Sequence, residues 1–255
     1  MLKKPELDEI CHRILLLPAE EVIPFVEGRD LAEEEKFQLY SSVQHRLYRK
    51  HGEAGTLAAY AAIILDIANQ YEKKAREADE AGARLLLQSA NVLLYNLSAD
   101  MAECWRDEGI AKDRRCFETG LAAASTCIDL RKRLNKDTGS FSIAYWAKGM
   151  HQLSLGACPS AIESFTRAFQ FSIAPLAIHD ADDLTKENAF NDILCAGYLG
   201  IAKWVLGDLS GKSRFEQAIA LFSEQVEHGE DAEQRSDAAF GIKQLDYVRG
   251  LFIKE

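Results

Sequence analysis

Proline is scarce in this sequence, with five in 255 residues, and glycine stops at 16, so long stretches run without a helix breaker. Strand-type alternation over four or more residues is equally rare, and no Asn-Gly or Asp-Gly pair marks a hairpin. These absences exclude a sheet and leave an all-α chain as the expectation. Positive charge is also in deficit: 30 Lys and Arg against 40 Asp and Glu give a formal charge of −10. Nucleic-acid binders need clustered cations to neutralise phosphates. Here the basic clusters, Arg131-Lys132-Arg133 and the stretch from Arg46 to His51, are short and read as solvated helix faces. No nucleic-acid partner is expected.

Long apolar runs are missing too. The most apolar stretch, Thr56 to Leu65, ends at Asp66 after ten residues, about half of a bilayer span. Near the N-terminus, Ile14 to Leu17 is stopped by Pro18, Glu20 and Glu21, which is not the pattern of a signal peptide. No membrane association is expected. The six cysteines (Cys11, Cys104, Cys116, Cys127, Cys158 and Cys195) show no C-x-x-C and no paired spacing, so they read as buried thiols of a cytoplasmic protein. A Gly-rich phosphate loop, a G-x-S-x-G elbow and an H-E-x-x-H helix are all lacking, and no cofactor or metal is expected.

What the sequence does have is helical periodicity nearly throughout. It predicts helices near 6–17, 19–27, 32–51, 54–77, 80–99, 111–134, 139–156, 159–174, 183–207, 213–228 and 231–251. Several ends carry a mechanism. Thr138 and Ser140 offer a capping hydroxyl, Pro159 suits a first helical turn, and Asp182 and Asp183 suit exposed N-terminal amides. Gly229 is read as a helix stop. The organisation expected is a helical N-terminal region over 1–78, either irregular or a set of capping helices, and helical hairpins over 79–255, with one continuous domain as the alternative division. The last helix, with Phe240, Ile242, Leu245, Val248 and Leu251 on one stripe, is the expected C-terminal cap.

One unit occurs twice. Gly149-Met-His-Gln-Leu-Ser-Leu-Gly156 parallels Gly200-Ile-Ala-Lys-Trp-Val-Leu-Gly207, and the helices that follow read Ala161-Ile162-Glu-Ser-Phe165 and Ala218-Ile219-Ala-Leu-Phe222. Gly149, Gly156, Ala161, Phe165 and Ala168, with Tyr145 in the place of the usual Trp, resemble the tetratricopeptide repeat signature. Small residues let the two helices of a hairpin cross closely, and the aromatic fills the gap to the next hairpin. The sequence departs from the pattern at Lys148, Gln152, Ala196 and Lys203, and its two copies stand 51 residues apart, from Gly149 to Gly200. The resemblance is carried by 139–228 and implies an α-α superhelix whose first helices line a concave groove for a peptide or partner helix. Carried over by position, the groove residues would be Ile143, Trp146, Met150 and Leu153, then Leu194, Gly197, Ile201 and Trp204. This strip is apolar where a carboxylate clamp would be basic. The resemblance therefore implies a non-catalytic scaffold for a protein or peptide partner, and the same strip also suits a homo-oligomer interface.

Three metal-dependent chemistries compete with the scaffold. His151, His179 and Asp180, with Asp237 or Asp246 downstream, resemble the helical HD metal-dependent phosphohydrolases, whose ligands hold a metal that activates water. Asp180-Ala-Asp182-Asp183 matches one acidic motif of helical terpene cyclases but lacks the second. Glu9-x-x-His12 is half of a di-iron pattern without its other half.

Overall fold

The computed structural model describes residues 2–174 and 184–254. Eleven α-helices and one 3-10 turn occupy them, and no strand occurs among the described residues. The chain divides into two compact units, one of Met1–Met101 with Asp107–Asn135, the other of Ala102–Arg106 with Lys136–Glu255.

The first unit holds α1 (Lys4–Leu16), a 3-10 turn (Ala19–Glu21), α2 (Val22–Glu27), α3 (Glu33–Glu53), α4 (Leu57–Glu77), α5 (Glu80–Met101) and α6 (Arg114–Arg133). Apolar positions three and four apart bury one face of each long helix: Leu39, Val43 and Leu47 on α3, Ile63, Ile64 and Ile67 on α4, Leu93, Leu94 and Leu97 on α5. The helices on either side of residue 78, α4 and α5, pack against each other, and α5 packs on α6. Four tyrosines, Tyr40, Tyr48, Tyr60 and Tyr71, fill this core. Their hydroxyls need partners where they are buried, and acids supply them for Tyr40, Tyr48 and Tyr60 but not for Tyr71. Tyr60 donates to Asp100 Oδ2 (2.5 Å) and Tyr48 to Asp107 Oδ2 (2.6 Å).

The second unit holds α7 (Thr138–Ser154), α8 (Cys158–Ile173), α9 (Phe190–Val205), α10 (Leu209–His228) and α11 (Ala232–Phe252). Consecutive helices pack in series, and α11 also lies on α9. Asp137 caps α7 by accepting from the Ser140 N–H (2.7 Å), so a carboxylate does what the sequence assigned to a hydroxyl. Pro159 sits in the first turn of α8 as expected. The two Leu-Gly ends stop α7 and α9 alike, with Gly156 and Gly207 in the left-handed region at φ 78° and 84°. Two starts differ from expectation. Asp208 accepts from the Ser210 N–H (2.9 Å), which starts α10 at Leu209 instead of near 213. An Asn188 side chain that accepts from the Thr185 N–H (2.9 Å) holds a turn ahead of α9, which begins at Phe190; Asp182 and Asp183 lie outside the described residues.

Each copy of the duplicated unit crosses its helices at a glycine, against a ring in the first copy and against backbone in the second. A Cβ placed on Gly149 would stand 2.7 Å from the Phe165 ring, and one on Gly200 would stand 2.7 Å from the Phe215 backbone nitrogen and 2.8 Å from the Gly211 oxygen. At each glycine the two helices of a hairpin touch where no side chain fits. The paired aromatics reach forward: Phe165 stacks on Tyr198 of α9 at 5.5 Å between ring centroids, and a Cβ on Gly241 of α11 would lie 2.7 Å from the Phe222 ring.

Candidate interaction surface

The strip carried over from the repeat is almost entirely covered. Trp146, Met150 and Leu153 of α7 and Leu194 and Ile201 of α9 are buried. Gly197 leaves no room for a side chain, since its Cβ would stand 2.6 Å from Leu245 of α11. Only Ile143 and Trp204 of this set are partly accessible. Trp204 rests on Phe215 at 5.9 Å with the Lys212 ammonium 5.6 Å above its ring. As an open groove the strip is therefore corrected: five of its side chains are core, and an apolar stripe does not by itself disclose what lies against it.

Part of that cover is a short non-helical turn, Ala102–Arg106, which belongs to the second unit. Trp105 meets the Trp146 ring edge-on at 5.8 Å and stacks with Phe240 of α11 at 6.3 Å. Trp146 in turn meets Tyr198 of α9 at 5.9 Å. Tyr247 of α11 donates its hydroxyl to Glu103 Oε1 at 2.9 Å. The turn is thus held by residues from α7 and α11, with α9 behind them. Ala102 and Cys104 are buried, whereas Trp105 keeps 38% of its surface exposed and Phe240 47%.

Polar atoms are buried at this seat: the Tyr198 hydroxyl lies against the Trp146 indole and the Cys104 thiol, and both amide atoms of Gln244 are buried on α11. Gln244, only 4% exposed, lies one helical turn from both Phe240 and Tyr247. Burial drives the Tyr198 hydroxyl far above its ordinary range, reinforced by the Cys104 thiol beside it, and pushes the Cys195 thiol up to about 12. Tyr198 therefore keeps its proton and can donate. An aromatic pair contributes about 0.5–1.5 kcal/mol beyond its area.

The described residues of the enzyme alternatives form no metal-holding group. His151 is buried inside α7, and Asp237 and Asp246 are exposed on α11. His179, Asp180, Asp182 and Asp183 lie outside the described residues. Glu9 and His12 face outward on α1. No group of three or more His, Cys, Asp or Glu is arranged to hold a metal among the described residues. A cavity of about 410 Å³ in the first unit has Leu57, Ala61, Met101, Asp113, Arg115 and Cys116 among its lining residues. No helix of the described residues is long and apolar enough to cross a membrane.

The turn and its α11 contacts were missed by sequence reasoning. The available signal was Trp105 itself, a large aromatic beside a cysteine in a connection between two helices, where solvated residues are the norm. Comparison of the chain with known protein families, with curated proteins and with solved structures finds no match.

Proposed function

We propose that this chain is a non-catalytic scaffold of the tetratricopeptide-like kind, an α-solenoid over its C-terminal half that holds a segment of a partner protein against the first helices of its hairpins. The observation that carries this reading is the repeated packing of α7–α8 and α9–α10: a glycine at each helix crossing, a left-handed glycine at each first-helix end, and an aromatic that reaches into the following helix. In repeat proteins such stacking presents one face of successive first helices and builds extended binding surfaces; here Ile143 and Trp204 are the strip residues left partly accessible. The six thiols, all buried and none in a disulfide, suit a reducing compartment such as the cytoplasm.

The partly accessible strip residues provide the test. A photo-crosslinking amino acid placed at Ile143 or Trp204, in the cells that make the protein, is expected to trap a segment of another protein, identified by mass spectrometry of the adduct. Adducts only with a second copy of the chain would replace the scaffold by a structural homodimer. An absence of adducts at both positions, with the variants folded, would end the interaction reading.

A further inference from the structure

We infer that the α9–α10 turn, with the end of α11 beside it, is a docking tip for an anionic lipid surface: Leu206 and Leu209 enter the interfacial layer of the bilayer, and a collar of cations meets its head groups. The tip needs no peptide groove, so it stands independently of the scaffold reading. Leu206 is 53% exposed and Leu209 73%, on either side of Gly207, whose φ of 84° turns the chain back sharply. Leu251, in the last turn of α11, is 38% exposed. Trp204 lies just behind them, partly accessible, with its ring on Phe215 at 5.9 Å. The Arg249 guanidinium, 5.8 Å over the same Phe215 ring, brings the end of α11 to the first two turns of α10. Three helix ends therefore meet at one end of the second unit.

Charge gives the complement. In a chain of formal charge −10, this end carries Lys203, Lys212, Arg214, Arg249 and Lys254. Three acids stand among them, and each is engaged: Asp208 accepts from the Ser210 N–H (2.9 Å), Glu216 lies 3.7 Å from Lys212, and Asp246 lies 3.6 Å from Arg249. Cations thus outnumber acids here, while the chain as a whole is acidic. The Lys212 ammonium, 5.6 Å over the Trp204 ring, sits directly behind the leucines, where a snorkelling lysine meets lipid phosphates. Shape selects the bilayer among anionic surfaces. Peptides and helices bind in grooves, whereas these leucines project from a tight turn, and a phosphate backbone offers nothing apolar to receive them. A bilayer surface yields to a projecting apolar tip, surrounds it with anionic head groups, and favours tryptophan at that level. The sequence expectation of no membrane association rested on apolar runs, and Gly207 and Asp208 keep these two leucines from forming one.

The test is flotation of the full-length protein with vesicles of phosphatidylcholine alone, or of phosphatidylcholine and phosphatidylserine at about 3:1. At low salt the fraction bound to the anionic vesicles is expected to exceed that on the neutral ones at least tenfold. It should fall at least fivefold at about 0.5 M salt, where screening shortens to a few Å. Leu206→Ser together with Leu209→Ser should lower binding at least tenfold, and Lys212→Glu several-fold. Leu209→Ser alone serves if the pair impairs folding, which circular dichroism and urea unfolding would reveal. Leu16→Ser, at a leucine 72% exposed in the first unit, should leave binding unchanged. Quenching of tryptophan fluorescence by lipids brominated on the acyl chain should disappear in Trp204→Phe. No enrichment on anionic vesicles, equal binding to both kinds, or a loss with Leu16→Ser but not with the Leu206 and Leu209 pair overturns the inference. A photo-crosslinking amino acid at Leu209 that traps another protein in cells, without vesicle binding by the purified chain, would give the tip to a protein partner. Adducts only with a second copy would give it to a dimer, and either result overturns the lipid surface. Adducts at Ile143 are scored separately, so the scaffold and the tip can each fail without the other.

Discussion

Two carboxylates of the first unit, seven residues apart in sequence, are pushed in opposite directions by their surroundings. Burial raises Asp100, and the Tyr60 and His45 contacts that oppose it do not fully compensate. Burial also presses Asp107 upward, but hydrogen bonds from Tyr48 and from Lys112 (2.9 Å) outweigh it and hold the carboxyl below its ordinary value. The signs then differ. The native state binds the Asp100 proton more tightly than the unfolded chain does, so that group's contribution falls as pH rises from the ordinary aspartate value through the native one. Asp107 contributes above the ordinary value and loses its contribution only as pH falls through its depressed native one. Asp100→Asn keeps an oxygen to accept from Tyr60 and removes a buried charge. It should raise the urea midpoint at pH 7, by an amount that shrinks toward pH 4. Asp107→Asn should lower stability by about 1–3 kcal/mol, the size of a hydrogen bond to a charged group. That loss should stay constant from pH 7 down to about 4. A midpoint for Asp100→Asn below wild type at pH 7 would contradict the account of the Tyr60–Asp100 pair.

Hairpin crossings concentrate the risk in single glycines. At Gly200 the atoms a methyl would meet are backbone, the Phe215 nitrogen and the Gly211 oxygen, which cannot rotate away. Gly200→Ala should therefore cost about 3 kcal/mol, the upper range for overpacking. Gly250 of α11 offers the control: a Cβ there meets nothing within 4 Å, and Gly250→Ala should stabilise by about 0.5–1 kcal/mol through helix entropy. Chemical denaturation of the two variants checks both, and a neutral Gly200→Ala would show that the crossing is not close. These crossings were legible in the sequence, because the pattern Gly-x6-Gly followed by Ala-Ile-x-x-Phe states a packing rule in residues near each other in the chain. The eleven helices were legible for the same reason, as 3.6-residue periodicity and capping residues are local. The start of α10 was expected near 213, whereas Asp208 does the capping and starts the helix at Leu209. The seat was not legible at all: Trp105 meets Trp146 and Phe240, far along the chain, and periodicity records that a face is apolar without recording its neighbour.

For the chain taken whole, the competing reading of the covered strip is that copies of the protein pair through it. A stable isologous interface needs about 800 Å² from each partner, with large side chains clustered at its centre. Several exposed large apolar residues instead stand at helix ends: Leu16 closes α1, while Leu206 and Leu209 flank the Gly207 turn. Trp105 and Phe240, the exposed aromatic pair, spend one face of each ring on the other. A formal charge of −10 on each copy adds repulsion to any such encounter. The expected mass by multi-angle light scattering is therefore 28.5 kDa, independent of concentration from micromolar to hundreds of micromolar and unchanged by salt. A mass that doubles with concentration, and returns to the single-chain value in Trp105→Ala, would assign the exposed face of the turn to a homodimer, with the turn as its centre.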